Sequence, residues 1–384
     1  MIRPLLATLT VVQAALGARV VWRLVRTARG SRISTAADIE TGERVAVIVP
    51  VLNERSRLGP CLEGLIAQGE EVVQILVVDG GSTDGTPDLV RNYAARNYRI
   101  RLTAASPVPD GWNGKAHGLQ IGLEQAPPDA AWILTIDADV RPGPLLARSL
   151  LAHADTEQIP ALSAATLQEL SGAAEGLVHP ALLATLVYRF GIPGRATARL
   201  SEVQANGQCF LVRRDVLERG EGFQSVHDSL CEDVTLARRI ATMGHPVGFY
   251  ETDGLVSVTM YAGWGDAWRN WSRSLPMRDR YWGAAGPLGL AEVALVQALP
   301  LALTPLLLPV RADRVGGAAY VINAALVAVR LGTLAGMARA YRHRPWTYWL
   351  SLLVDLPVAA QLLVSAVRRE HVWRGRSIVR GGTR

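Results

Sequence analysis

The sequence predicts an α/β domain on a mostly parallel, doubly wound sheet, set between an N-terminal transmembrane anchor and C-terminal membrane helices. Short apolar runs that end in polar or acidic residues alternate with stretches of helical spacing, the pattern of βαβ units. Hydrophobic residues make up 49% of the 384 and are unevenly spread, piling up at residues 5–25 and again from 288 onward. Arginines crowd beside those stretches: Arg23, Arg26, Arg29 and Arg32 after the first, and Arg368, Arg369, Arg374, Arg376 and Arg380 after the last.

Residues 5–25, about 21 positions, come close to the length that spans a bilayer. A signal peptide is the competing reading, but the run is long for one and Arg19 interrupts its end. The arginines that follow make it a signal anchor whose C-terminal end lies in the cytoplasm. A polar linker occupies 31–43. Residues 44–50 then form a buried strand ending in Pro50-Val51-Leu52-Asn53-Glu54, and 56–68 carry helical spacing. A second apolar strand, 72–78, ends in Asp79-Gly80-Gly81-Ser82-Thr83-Asp84. A helix at 87–97 and a third strand at 99–103 follow. A turn-rich loop, 109–117, carries Lys115 into a helix at 118–125. Residues 132–136 (WILTI) are a strand buried on both faces, and they stop at Asp137-Ala138-Asp139. From 145 to 194 the pattern is helical, then looser. A strand with a glycine break occupies 202–213, Glu232 and Asp233 open a helix, and two short strands close the domain by 258.

In 263–282, Trp264, Trp268 and Trp271 share one helix face, with Arg269, Arg273 and Arg280 on others, a pattern that fits a membrane interface or a helix packed on the α/β domain. Three apolar stretches follow at 288–310, 315–337 and 346–366. Pro300, Pro305 and Pro309 mark the first as a broken or re-entrant segment, and the last two read as spanning helices. That arrangement leaves Arg339, Arg342 and Arg344 outside and returns the tail to the cytoplasm. The expected organisation is an anchor at 1–30, the α/β domain at 31–260, an amphipathic interfacial region at 261–287, membrane segments at 288–367 and a basic tail at 368–384.

The net charge of +6 comes almost wholly from arginine, since Lys115 is the only lysine. The arginine clusters beside the apolar segments favour anionic lipid headgroups over nucleic acid as the partner. Cys61, Cys209 and Cys231 have no metal-ligand spacing and suit a reducing compartment.

Four acidic or polar clusters therefore sit where strands end or, for the last, where a helix opens: Asn53-Glu54, Asp79, Asp137/Asp139 and Glu232-Asp233. In open α/β sheets the carboxyl edge of the strands is the ligand edge. Asp137 and Asp139 lie on one side of the chain and would repel, unless a hard cation, Mg²⁺ or Mn²⁺, is shared with the phosphates of a nucleotide. Asp79 can hydrogen-bond a base or ribose, and Gly80 lets the backbone come close. Lys115 can neutralise a diphosphate. Asp233 is placed as a general base for a hydroxyl nucleophile, with Glu232 its neighbour and competitor.

Five motifs, VIVPVLNE, VVDGGSTDGT, GWNGKAHGL, the D-x-D and CEDVTLARR, make the chain resemble the lipid-directed family 2 glycosyltransferases of the GT-A fold. With its membrane frame it is similar to hopene- and carotenoid-associated and ceramide glucosyltransferases. The resemblance implies that Asn53, Glu54 and Asp79 hold the nucleoside, Asp139 the metal, and that Asp233 is the base. The tail around Trp373 and Arg374 is similar to a Trp-Arg motif closing those chains. Where they carry a Gln/Arg-x-x-Arg-Trp signature, this chain has Trp268-Arg269-Asn270-Trp271-Ser272-Arg273, which weighs against a processive polysaccharide synthase. Trp268, Arg269, Trp271, Arg273, Trp373 and Arg374 are the acceptor-side candidates.

The implied function is inverting transfer of a sugar from a nucleotide sugar, UDP-linked, to a hydroxyl of a lipid. The lipid would be an isoprenoid such as a carotenoid or hopanoid, or a sphingolipid-like precursor. The protein would be integral to the cell membrane, its catalytic domain facing the cytoplasm. A sugar nucleotidyltransferase is the rival enzyme, disfavoured because Asn53-Glu54 stands where a basic glycine-rich loop is needed. A catalytically silent scaffold is disfavoured by the presence of Asp139 and Asp233.

Overall fold

The computed structural model describes residues 2–37, 41–259, 268, 275, 277–368, 370–373 and 376–379, the last two segments by their backbone only. The strands are β1 (Arg32–Ile33), β2 (Val45–Val51), β3 (Val72–Asp79), β4 (Ile100–Ala104), β5 (Trp132–Ile136), β6 (Val140–Pro142), β7 (Ala161–Ala165), β8 (Leu167–Gln168), β9 (Arg195–Thr197), β10 (Cys209–Arg213), β11 (Val247–Thr252) and β12 (Val256–Val258). The helices of the same region are α1 (Ile2–Thr27), α2 (Leu58–Ile66), α3 (Thr86–Ala94), α4 (Gly114–Gln125), α5 (Leu146–Thr156), α6 (Ala173–Phe190), α7 (Arg214–Arg219) and α8 (Glu232–Thr242).

A sheet of order β1-β11-β7-β10-β5-β2-β3-β4, with β9 beside β11, forms the centre. It is parallel except around β10 and β9, which run antiparallel to their neighbours. Alternation along the strands feeds two apolar layers. Val45, Val47 and Val49 of β2 pack with α2 and α5, whereas Ala46 and Ile48 pack with α4, α7 and α8. The sheet is doubly wound. From β2 the chain builds outward to β3 and β4, then crosses back to place β5 on the other side of β2. That reversal opens a crevice at the carboxyl ends of β2 and β5. A smaller sheet, β6-β12-β8, lies beside it.

Several elements depart from the sequence expectation, and two of them bear on the sheet and its site. The stretch read as helical then loose contains β7, the five residues ALSAA between β11 and β10. Its small side chains give no strand signal, and burial between two neighbours decides its conformation. Helix α4 begins at Gly114 rather than 118, capped by Asn113, whose side chain accepts from the Lys115 N–H at 2.9 Å. Lys115 thus sits in the first turn of a helix, not in a loop.

Among the described residues, four helices are long and apolar enough to cross a membrane: Arg3–Thr27, Ala285–Val310, Arg314–Ala340 and Trp346–Val367. Helix Ala285–Val310 is continuous despite its prolines. A π-helical stretch, Val293–Ala298, precedes Pro300, and its wider turn accommodates the ring and the missing N–H. The helix runs away from the α/β domain. Asp279, just before it, pairs with Arg238 of α8 at 2.9 Å, while Asp313, just after it, lies 3.6 Å from Arg3 at the start of α1. Helix Arg314–Ala340 returns alongside α1, with Asn323 on Gln13 and Leu326 on Gly17. It delivers Arg339 to Glu251 (3.0 Å) and Arg342 to Glu169 (3.3 Å). These arginines therefore lie against the α/β domain, opposite to the expected side.

The last segment, and not the first, turns back. Thr347 bonds the Ala173 carbonyl at the start of α6, and the Ala366 carbonyl accepts from Arg278, beside Asp279, at 2.7 Å. Both ends are thus on the domain's side, and between them a 3₁₀ stretch (Trp346–Val354) gives way to an α-helix at Asp355. Two buried ion pairs clamp the apolar helices: Arg330 to Asp355 at 2.8 Å, and Arg23 to Glu292 at 2.8 Å. Each removes an otherwise prohibitive charge from an apolar setting by close pairing.

Candidate active site

The strand order β5-β2-β3 sets three of the four polar clusters side by side along one edge. Antiparallel β10 starts where β5 ends, so Gly207 and Gln208 join them, and the Asp137 N–H donates to the Gln208 carbonyl at 3.2 Å. Helix α8 brings Glu232 and Asp233 to the same place. Lys115 ties the groups together: its Nζ is 2.7 Å from Asp137 Oδ1 and 2.9 Å from Glu232 Oε1. Burial opposes the ammonium charge, but Asp137, Glu232 and Asp233 outweigh it and hold Lys115 well above the ordinary lysine range. These carboxylates keep a cation in the first turn of α4, where the helix dipole disfavours one.

Asp233 is fixed by the backbone. Its Oδ2 accepts from the Gly207 N–H at 2.6 Å and its Oδ1 from the Val234 N–H at 2.8 Å. Burial and Glu232 push its carboxyl up to about 6, against Lys115 and the two N–H bonds. Gly207 is required by proximity. A Cβ there would stand 3.0 Å from Lys115 Nζ and 3.2 Å from Asp233 Oδ2.

Asp139 is half-buried beside Asp137, and desolvation and that neighbouring charge push its carboxyl up to about 7. Arg57 Nη1 approaches it only to 3.7 Å and is committed to Glu54 at 2.7 Å. Among the described residues no group of three or more His, Cys, Asp or Glu could hold a metal alone. Magnesium-type cations do not need one, since they take one or two carboxylates and complete their shell with substrate phosphates and water. Two crowded carboxylates at a cavity wall suit that donor set.

Asn53 and Asp79 serve the neighbouring loop. Asn53 adopts a left-handed φ of 56°. Its N–H donates to Ser82 Oγ at 2.8 Å, and its Oδ1 accepts from the Thr83 N–H at 2.9 Å. Ser82 Oγ donates in turn to Asp79 Oδ1 at 2.5 Å. The two residues brace the turn that follows β3, while Pro50, Glu54, Gly80, Lys115, Asp137, Asp139, Glu232 and Asp233 line a cavity of about 1630 Å³. Arg57, Asn113 and Gly207 join this site without having been singled out from the sequence. The glycine break before β10 was the one visible trace of Gly207.

The acceptor-side candidates are less well placed. Trp268 packs among the apolar helices, and its carbonyl accepts from Gln361 at 2.9 Å. Trp373 ends a strand, Glu370–Trp373, paired antiparallel with Arg376–Val379. Arg269, Trp271, Arg273 and Arg374 lie outside the described residues.

The architecture is the GT-A fold with apolar helices appended. It aligns with the structure of a mannosyltransferase from Pyrobaculum calidifontis, solved with GDP-Man and Mn²⁺, at a TM-score of 0.56 and 23% identity, over 96% of this chain and 98% of that one. Residues 46–220 match the model of glycosyl transferase family 2. A lipopolysaccharide core biosynthesis glycosyltransferase of Rhizobium meliloti is 37% identical over 97 residues, which are 25% of this chain and 32% of the relative. A 4,4'-diaponeurosporenoate glycosyltransferase of Staphylococcus haemolyticus is 23% identical over 239 residues, 62% of each chain. The matches thus span less than two thirds of these curated relatives.

Proposed function

We propose that this chain is a membrane-associated, metal-dependent, inverting glycosyltransferase that moves a sugar from a nucleoside-diphosphate sugar to a hydroxyl of a lipid. The observation that carries the reading is the single cavity that joins Lys115, Asp137, Asp139, Glu232 and Asp233 to the faces of α1, α6 and the Arg314–Ala340 helix. The carotenoid-type relatives and the Mn²⁺-bearing mannosyltransferase support it.

In this reading Asp233 takes the proton of the acceptor hydroxyl as the oxygen forms its bond to the anomeric carbon. The bond from that carbon to the diphosphate oxygen breaks on the opposite side, its electron pair leaving with the nucleoside diphosphate. One displacement inverts the configuration. Asp139, with Asp137 beside it, would hold a divalent cation, which when bound neutralises charge growing on the leaving diphosphate. Lys115 holds Asp137 and Glu232 in register and adds positive charge to the same site. The arginines following α1, together with Arg339, Arg342 and Arg344, crowd the domain's side of the helices, and this supports a cytoplasmic catalytic face.

Lys115→Arg keeps the charge, but a planar guanidinium has little room beneath Gly207. Transfer is expected to fall by about tenfold through lost positioning. An unchanged kcat/KM would show that only a positive charge is needed there. The function itself is tested with the purified chain in nanodiscs, Mn²⁺, and a panel of UDP- and GDP-sugars offered with extracted bacterial lipids. Labelled sugar recovered in the lipid fraction is expected. Turnover of no nucleotide sugar would overturn the proposal.

A further inference from the structure

The cavity is larger than its polar end requires. Pockets for ligands of drug size enclose roughly 300–1,000 Å³, and this one, at about 1630 Å³, has room for a second occupant. Its far arm is lined by Leu24 and Val25 of α1, Leu183 and Val187 of α6, and Gly332 and Gly336 of the Arg314–Ala340 helix.

The two outer helices explain how that arm reaches the bilayer. Helices α1 and Arg314–Ala340 run parallel and touch early, where a Cβ on Gly17 would meet Leu326 at 2.8 Å. Further along they part. A Cβ on Gly332 or Gly336 would meet nothing within 4 Å, and Val25, on the facing helix, is 68% exposed although it lines the cavity. The separation forms a side opening between two helices that are each apolar and long enough to span a membrane.

We propose that this arm receives the hydrocarbon chain of the acceptor, entering sideways between α1 and the Arg314–Ala340 helix, with Gly332 and Gly336 keeping the passage wide. The inference rests on the lipid-glycosyltransferase reading and specifies where its acceptor sits. Apolar walls select a hydrocarbon, the opening faces the source of one, and continuity with Asp233 sets the hydroxyl end of the lipid at the base. An annular phospholipid chain is the alternative occupant.

The full chain in phosphatidylcholine and phosphatidylglycerol nanodiscs is photolabelled with a long-chain alcohol bearing a mid-chain diazirine, and the labelled peptides are mapped. Labelling of α6 and of the 329–340 segment is expected. Because a Cβ at either glycine would meet no atom within 4 Å, Gly332→Leu/Gly336→Leu extends side chains into the arm from positions with open space. In that variant, labelling there and sugar transfer to lipid should each fall about tenfold or more, the scale set by a few methylenes in an apolar pocket. Affinity for UDP in Mn²⁺ should stay that of the parent. Labelling confined to outward residues such as Leu5 and Val11, or insensitive to the double substitution as for annular lipid, would overturn the passage. So would undiminished lipid transfer by the variant, leaving the glycosyltransferase reading intact. A parent that turns over no nucleotide sugar would remove both.

Discussion

Asp233→Asn is expected to lower sugar transfer by about 10²–10⁴-fold, the usual worth of a positioned base. The acceptor hydroxyl has a pKa far above neutrality, so its proton needs a carboxylate within hydrogen-bond reach as the new bond forms. Asp233 lines the cavity and is held by two backbone N–H groups, and burial with Glu232 raises its basicity to about 6. The substitution is not perfectly silent. An amide can accept from only one of the Gly207 and Val234 N–H groups, and the one left facing its NH₂ costs about 1–3 kcal/mol. Thermal melting and UDP affinity, measured on the same preparation, separate that loss from lost basicity. Glu232 competes for the role, but its Oε1 is engaged by Lys115 at 2.9 Å. Glu232→Gln keeps an acceptor for the ammonium and should cost less. The pH profile gives an independent check. A protonated carboxyl cannot take a proton, so kcat/KM should be full above about pH 6 and fall about tenfold per unit below it. Near-normal transfer by Asp233→Asn, with a large loss in Glu232→Gln, would exchange the two assignments.

Legibility in the sequence followed the range of the forces involved. Strands β2, β3 and β5 are continuous apolar runs because both faces are buried, and each ends in the polar residues of the site. Their order in the sheet makes those ends neighbours, so a local signal was enough to assemble much of the cluster. Strand β7 was not legible, since Ala161, Ala164 and Ala165 carry no strand preference and take their conformation from β10 and β11. Lys115 was found but misplaced, because the cap that starts α4 is Asn113, inside a loop-like run of Gly, Trp and Asn. Asn53 and Asp79 were found as polar ends of strands, yet local hydrogen bonds to Ser82 and Thr83 turn them towards the loop. The path of the apolar helices was the least legible. Prolines drew attention to Ala285–Val310, whereas the turn-back of the last segment depends on partners remote in sequence: Arg330 with Asp355, Ala173 with Thr347 and Arg278 with Ala366.

Asp139→Asn is expected to remove the metal-dependent part of donor binding, weakening UDP affinity in Mn²⁺ by about 10²-fold or more. Asp137 and Asp139 end the same strand and crowd one wall of the cavity, but they are not equivalent. Asp137 already has an ammonium 2.7 Å away. Asp139 has a guanidinium at 3.7 Å whose closer bonds go to Glu54. Burial and Asp137 both resist its ionisation, so a divalent cation shared with the diphosphate gains most by binding at Asp139. The asparagine retains size and one acceptor oxygen while deleting the charge, and Lys115 keeps its contacts with Asp137 and Glu232, so folding should change little. Titration of UDP into the parent and the variant, each with Mn²⁺ and with excess chelator, isolates the metal contribution. The parent should lose affinity on chelation, and the variant should start near that chelated level and show little further loss. If Asp139→Asn binds UDP in Mn²⁺ as tightly as the parent, the cation is held elsewhere, and Asp137 or Glu54 becomes the ligand to test.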